Sequence, residues 1–403
     1  VPGGLPILQA GLSTLPLADN CSAVRPLRLK KQWFLKHFCS NEAKNCWKTG
    51  RTWSRRAVCD APVARCGPVW EYHRGVKNGG ETGSGGVDVL VTRAMPGAFD
   101  VGDARVRVLG EVLPERRAVL DALPGVRVLV SMFTDRVDAE MIAAAGGSLR
   151  GVCQYAVGTD NIDLEACREA GVVVTNTPDA VTEGTADLAW ALLLAVARRV
   201  VEADAYARSE AYPADGPLGM GDFLGADLTG RTLLIVGAGR IGRAVALRSI
   251  GWGMRVLYVA RSRHWDFELA PLAAERVELD EGLTRADVVS LHTPLTERTR
   301  HLIDKGRLGL MKDQAILINT ARGPVVDEAA LAEALASGKI WGAGLDVFEH
   351  EPVVHPGLIA AKNVVLTPHI GSGERRYREM MTAMVAGNVR AILDGEEPAN
   401  RVG

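Results

Sequence analysis

In the last third of this 403-residue chain, three short apolar runs each end in a side chain that can hold or move charge. Ile316-Leu317-Ile318-Asn319 leads through Thr320-Ala321 to Arg322 and Gly323. Ala343-Gly344-Leu345 ends in Asp346-Val347-Phe348 and is followed by Glu349-His350-Glu351-Pro352. Val364-Val365-Leu366 ends in Thr367-Pro368-His369-Ile370-Gly371. As neighbouring strands, the runs would share the edge where open α/β sheets bind ligands. A guanidinium, a carboxylate and an imidazole on one such edge suit reduction of a 2-keto acid. The arginine grips the carboxylate and polarises the carbonyl, and the histidine gives a proton to the oxygen. The acid orients the imidazole and favours its protonated form. Singly, each residue has a plain structural use: Arg322 at a helix start, His369 at a strand end, Glu351 as a solvated loop acid. The chemistry is argued from their occurring together. His292, in Ser290-Leu291-His292-Thr293-Pro294, also ends a strand, but on the nucleotide side, and is expected to be structural. His301, His350 and His355 are expected at the surface.

A reduction needs a hydride donor, and the sequence provides a place for one. The apolar run Thr232–Val236 enters Gly237-Ala238-Gly239-Arg240-Ile241-Gly242, a helix follows through Ile250, and a second strand follows at Arg255–Ala260. Glycines at this spacing are informative only between a strand and a helix, and here they are so placed. Gly237 makes the tight turn, Gly239 lets backbone approach a pyrophosphate, and Gly242 lets helix and strand pack closely. Arg240 and Ile241 open the helix whose free N–H groups receive the phosphates. Thr293, Pro294, Thr320 and Ala321, at two further strand ends, are expected to line the same cofactor. The end of the second strand sets the cofactor type. An NAD enzyme places Asp or Glu there, whereas this chain has Ala260 followed by Arg261-Ser262-Arg263. Two guanidiniums and a hydroxyl can bind a 2′-phosphate, so NADPH is expected to be preferred, with NAD possible.

These motifs need a frame to position them. With 47% hydrophobic and 24% charged residues, the chain is neither wholly disordered, collagen-like nor a multi-span membrane protein. A net charge of -1 gives no overall reason to expect nucleic acid. The average hides two unlike parts. Residues 1–86 carry 13 basic and 5 acidic side chains and five of the seven cysteines, whereas residues 87–403 carry 34 basic and 43 acidic. Pro2, Pro6, Pro16 and Pro26 break any amphipathic targeting helix. Cys39/Cys46 and Cys59/Cys66 are too widely spaced to grip one zinc ion in pairs, and no metal site is expected. We expect this head to be disordered or to lie outside the functional protein. From Val87 the text alternates strands and helices: Val87–Thr92, Val106–Leu109, Val126–Val130, Leu149–Val152 and Val172–Thr175 read as strands of a small α/β domain. Thr185–Arg199 reads as a buried helix, too short to cross a bilayer. The fold class is therefore α/β, with a Rossmann domain and a smaller α/β domain before it. Cys153 and Cys167 suit a reduced, cytoplasmic enzyme.

Residues 87–403, about four-fifths of the chain, resemble the D-2-hydroxyacid dehydrogenase family and, within it, the glyoxylate/hydroxypyruvate reductases. The similarity rests on Val157-Gly158-Thr159-Asp160-Asn161-Ile162-Asp163, Thr182-Glu183-Gly184-Thr185-Ala186-Asp187, the glycine fingerprint, Asn319 to Gly323, Leu345 to Phe348 with Glu351-Pro352, and Thr367 to Gly371. The resemblance implies a catalytic triad of Arg322, Glu351 and His369. It implies that backbone N–H groups of Val157 and Gly158 bind the substrate carboxylate, and that Thr185 and Asp346 meet the nicotinamide end of the cofactor. Met132 and Phe133 would wall the substrate pocket. It further implies a flavodoxin-like, discontinuous substrate domain, residues 87–185 plus 371–403, around a Rossmann domain at 186–370. The implied protein is a homodimer reducing glyoxylate and hydroxypyruvate to glycolate and D-glycerate, with no membrane or nucleic-acid partner. Alternatives are a broad or phosphoglycerate-type dehydrogenase using NAD, or a nucleotide-sensing corepressor. The sequence departs from the family at Trp341, where a small residue is usual, and in the charged run after Gly371. It also lacks a Trp ahead of the glycine fingerprint, for which Tyr212 or Phe223 would stand in.

Overall fold

A computed structural model of the chain describes residues 86–402, and the basic head lies outside them. Five short strands come first: β1 Val89–Val91, β2 Val106–Val108, β3 Val128–Ser131, β4 Gly151–Gln154 and β5 Val173–Thr175. They pair in parallel in the order β2-β1-β3-β4-β5. This order is flavodoxin-like. Strands buried on both faces favour apolar side chains at successive positions, which is why β1 reads Val-Leu-Val and β3 reads Val-Leu-Val before a buried Ser131, rather than alternating. Helices α1 Arg116–Ala122, α2 Ala139–Ala144 and α3 Leu164–Glu169 make crossovers. Asp138 and Asp163 start α2 and α3 by accepting the N–H groups of Met141 and Ala166.

Helix α4, Thr182–Ala197, leads to the second sheet and begins three residues before its expected start. Its Ala186, Trp190, Leu193 and Val196 share a core with β6 and β10 residues. It ends at Ala197, and Arg199 turns left-handed at φ 51 to start α5, Val200–Ala207.

The second sheet has seven parallel strands. They are β6 Thr232–Val236, β7 Arg255–Val259, β8 Glu275–Arg276, β9 Val288–Leu291, β10 Ile316–Asn319, β11 Gly342–Leu345 and β12 Val364–Leu366. Their order is β12-β11-β10-β9-β6-β7-β8, the Rossmann order extended by one strand. The chain reverses its direction of winding between β6 and β9, so a crevice opens at their carboxyl ends. Helix α6, Arg240–Arg248, follows β6, and α7, Glu328–Ala336, follows β10. β11 is glycine-rich because α4 lies on it: a Cβ on Gly344 would come within 2.8 Å of the Leu192 side chain.

Helix α8, Arg375–Asp394, returns to the first sheet. Met381, Val385, Val389 and Ile392 pack there with Val91, Val130 and Cys153. The first sheet is thus closed by residues from both ends of the described chain. Among the described residues no helix is long and apolar enough to cross a membrane.

Candidate active site

Between the carboxyl edges of the two sheets lies a cavity of about 740 Å³. Phe133, Val157 and Gly158 line it from the first sheet, and Thr320, Arg322 and His369 from the second. A second cavity of about 1160 Å³ runs along the glycine turn. His292, Thr293 and Pro294 line both, so the two form one continuous groove.

The long groove fits a dinucleotide. Gly237 is left-handed at φ 106, and a Cβ on it would sit 2.6 Å from the His292 carbonyl oxygen. A Cβ on Gly242 would sit 2.2 Å from the Gly237 oxygen, so this glycine seats helix on strand. Gly239 faces open space, as backbone receiving a pyrophosphate must. No side chain caps α6, which leaves its first N–H groups for the groove. The buried hydroxyls of Thr293 and Thr320 have no partner among the described residues, which suits polar contact with a bound cofactor.

Not every expected contact falls on this groove. Arg261 and Ser262 line it, but Arg263 does not. The Arg263 Nε donates to Glu268 at 2.6 Å, and its guanidinium lies 4.0 Å over the Trp265 ring. A charged partner and an aromatic face hold it away from a 2′-phosphate. Arg298 and His264 line the groove instead. Arg240 pairs at the surface with Asp179 at 3.0 Å, while Ile241 reaches the substrate cavity together with Thr185 and Ala321.

Of the expected catalytic residues, Arg322 and His369 line the first cavity, while Glu351 does not and stands behind the histidine. His369 Nδ1 is 2.9 Å from Glu351 Oε2, leaving Nε2 for a substrate. Glu351 is itself held by the Phe348 N–H at 3.1 Å. His369 adopts φ 54, a left-handed conformation uncommon for a residue with a Cβ. Asp346 holds that turn: its carboxylate accepts from Thr367 Oγ1 at 2.7 Å and from the N–H groups of Ile370 and Gly371 at 2.8 Å. Burial raises the pKa of Asp346 despite these donors. Asp346 thus builds the histidine turn and also lines the cavity. Phe133 packs on the His369 ring with centroids 4.2 Å apart. Met132 is buried in the first sheet's core and does not line the cavity, because successive residues leaving a strand point opposite ways.

Arg322 crosses the cleft to the first sheet. Its Nε donates to both Asp160 oxygens, at 3.0 and 3.2 Å. A Cβ on Gly158 would lie 1.8 Å from Arg322 Nη2, so only glycine admits the guanidinium here. Asp160 was missed by sequence reasoning, although it sits two residues beyond Gly158 in a motif already singled out. His292 sits at the junction of the two cavities, with Ser290 Oγ 2.8 Å from its Nε2. Desolvation pushes its pKa down to about 3, so it stays neutral, as a structural residue would. His301 and His350 are exposed as expected, His301 pairing with Glu349, whereas His355 is half-buried and its Nδ1 caps a helix by accepting the Gly357 N–H at 3.1 Å.

The model of the D-isomer specific 2-hydroxyacid dehydrogenase NAD-binding domain matches residues 190–371. A glyoxylate reductase of Thermococcus onnurineus is 50% identical over 291 residues, 71% of this chain and 86% of that protein. A solved Thermus thermophilus protein superimposes with TM-score 0.72 at 45% identity, covering 79% of this chain and all of that one. The NADPH-dependent glyoxylate/hydroxypyruvate reductase of Sinorhizobium meliloti, solved with NADP and malonate, gives TM-score 0.67 at 30% identity over 79% of this chain and 97% of that one.

Proposed function

The chain belongs to the D-isomer specific 2-hydroxyacid dehydrogenase family and is an NAD(P)-dependent oxidoreductase of CH–OH groups; from that premise we propose that it reduces glyoxylate and hydroxypyruvate, with NADPH preferred. The observation that carries this reading is that Arg322 and His369 line one small cavity continuous with the glycine-lined groove, with Glu351 standing behind His369 at 2.9 Å. When bound along Gly237–Gly242, a nicotinamide dinucleotide supplies the hydride. The keto acid's carboxylate docks between the Val157 and Gly158 N–H groups and Arg322 Nη2. The guanidinium draws electron density from the carbonyl, which makes its carbon electrophilic. His369, oriented by Glu351 at Nδ1, gives its Nε2 proton to the carbonyl oxygen. Phe133 packs on the imidazole and helps keep water from it.

NADPH preference rests on Arg261 and Ser262, with Ala260 in place of a carboxylate, and is supported by the NADP bound to the Sinorhizobium protein. Domain limits near 185 and 371 are supported by the separation into two sheets and by the packing of α8 residues on the first. A homodimer is supported by an exposed apolar arm after α4, with Val200 52%, Leu224 62% and Met220 97% accessible. Burial pushes the Cys153 thiol up to about 12, and Cys153 and Cys167 are both free and buried, which suits a reducing cytoplasm.

The test is a nicotinamide absorbance assay on the full chain, crossing NADPH and NADH with glyoxylate, hydroxypyruvate, pyruvate and phosphohydroxypyruvate. Highest kcat/KM with NADPH and the first two acids is expected. Preference for phosphohydroxypyruvate or for NADH would overturn the substrate or the cofactor part respectively.

A further inference from the structure

The pair that delivers the proton stands on a loop, and the loop is gripped by two acids that the chemistry does not use. Glu328 opens α7 and is only 4% exposed, unusual for a carboxylate. Its Oε1 accepts the Glu349 N–H at 2.8 Å. In return, Glu349 Oε2 accepts the Glu328 N–H at 3.1 Å. The backbone N–H and imidazole of His355 face the same Glu328 carboxylate. Glu328 therefore meets backbone on both sides of Glu351. Glu349 is also paired with His301, whose N–H donates to the Pro324 carbonyl at 2.7 Å in the turn after Arg322. That turn lies directly on the loop: a Cβ on Gly323 would come within 1.9 Å of the Phe348 carbonyl carbon.

We propose that Glu328 and Glu349 form a reciprocal clamp that positions Glu351, and through it His369, in register with Arg322. Both are positioning residues, neither touching the cavity. Burying two carboxylates side by side is costly unless each is hydrogen-bonded, and here each satisfies a backbone N–H that the loop would otherwise leave without a partner. The inference rests on Glu351–His369 being the proton-delivering pair.

The test compares Glu328→Ala and Glu328→Gln with Leu331→Ala, a fully buried core truncation in the same helix that removes no hydrogen bond to the loop. In Glu328→Ala, kcat for glyoxylate should fall about ten- to a hundredfold, as expected when a reacting group shifts by an ångström or less. KM and NADPH binding should hold. Glu328→Gln, whose amide oxygen still accepts the Glu349 N–H, should restore most of kcat. The downfield proton resonance of the His369 Nδ1–H held by Glu351 should broaden in Glu328→Ala and persist in the other two. The clamp is overturned if Glu328→Ala keeps both kcat and the resonance, or if Leu331→Ala loses both equally. Should Glu328→Ala fail to fold, Glu349→Ala, cutting the other half of the clamp, reads the same signature. The resonance needs no substrate. A wild-type chain inactive on glyoxylate would sink the functional reading while the resonance still judged the clamp.

Discussion

The two walls of the cleft are built from different materials. The first-sheet wall is mostly uncharged, with Phe133 and the run from Tyr155 through Gly158 to Asp160, whose carboxylate is spent on Arg322. The second-sheet wall presents Arg322 and His369, the side chains proposed to react, with Glu351 behind the histidine. A small keto acid has few features to recognise, and fixed backbone N–H groups read a carboxylate without the rotamer entropy of a long side chain. Proton delivery and polarisation need groups that titrate or carry charge, which backbone cannot supply. In the proposed reaction one wall holds the substrate while the other transforms it, and breaking either should leave a different kinetic signature.

The largest effect should come from the reacting wall. His369→Ala removes the proton donor, and kcat should drop by about a thousandfold or more while dinucleotide binding survives. Single-turnover kinetics beside a dinucleotide titration measures both, and near-normal turnover would end the assignment. On the recognising wall, Gly158→Ala places a methyl 1.8 Å from Arg322 Nη2 and must displace the guanidinium. We expect kcat/KM for glyoxylate to fall about a hundredfold, chiefly through KM. A loss confined to kcat would mean that both walls act on the chemistry and that the division drawn above is wrong.

Between these lies the bridge across the cleft. Asp160→Asn weakens the contact that holds Arg322 Nε at 3.0 Å. Loss of one charge-assisted hydrogen bond, about 1.5 kcal/mol, predicts a drop near tenfold in kcat/KM. The competing expectation is a gain in substrate affinity, because an anionic neighbour of the carboxylate site has gone. A lower KM for glyoxylate in the variant would show that Asp160 repels substrate more than it orients Arg322.

The residues proposed to react could be picked out in the sequence because their signal is local. Arg322, Glu351 and His369 each follow an apolar run, and parallel strands buried on both faces are the most readable of all strands. Strand limits differ by one or two residues from those read in the sequence, the range over which element ends are defined. What stayed hidden was long-range pairing. Asp160 and Arg322 are 162 positions apart, and Glu328 meets Glu349 only because a strand and a turn fold back between them. Arg263 was misread for the same reason at shorter range: its sequence neighbours suggested a phosphate, and Glu268 with Trp265 had the stronger hold. Met132 and Phe133 were taken together, although residues alternate in direction along extended chain and only Phe133 can face the cavity.

The smallest effect at neutral pH concerns the residue where the two cavities meet. His292 stays neutral because desolvation pushes its pKa from 6.5 down to about 3. Above pH 6.5 both folded and unfolded chains keep it neutral, and it costs nothing. Below that value the unfolded chain takes up a proton that the folded chain refuses, so stability falls as pH drops toward 3. The slope approaches about 1.4 kcal/mol per pH unit for one proton. Asp88, Asp287 and other carboxylates held low by arginine and lysine partners add their own losses at lower pH, so the wild-type curve alone is not diagnostic. The difference between wild type and His292→Asn isolates the histidine. Urea unfolding should show that difference flat above pH 6.5 and moving in the variant's favour on acidification. A constant difference across the range would mean that His292 gains its proton in the folded state. The imidazole would then be a second potential acid in the groove, and the reacting wall would no longer end at His369.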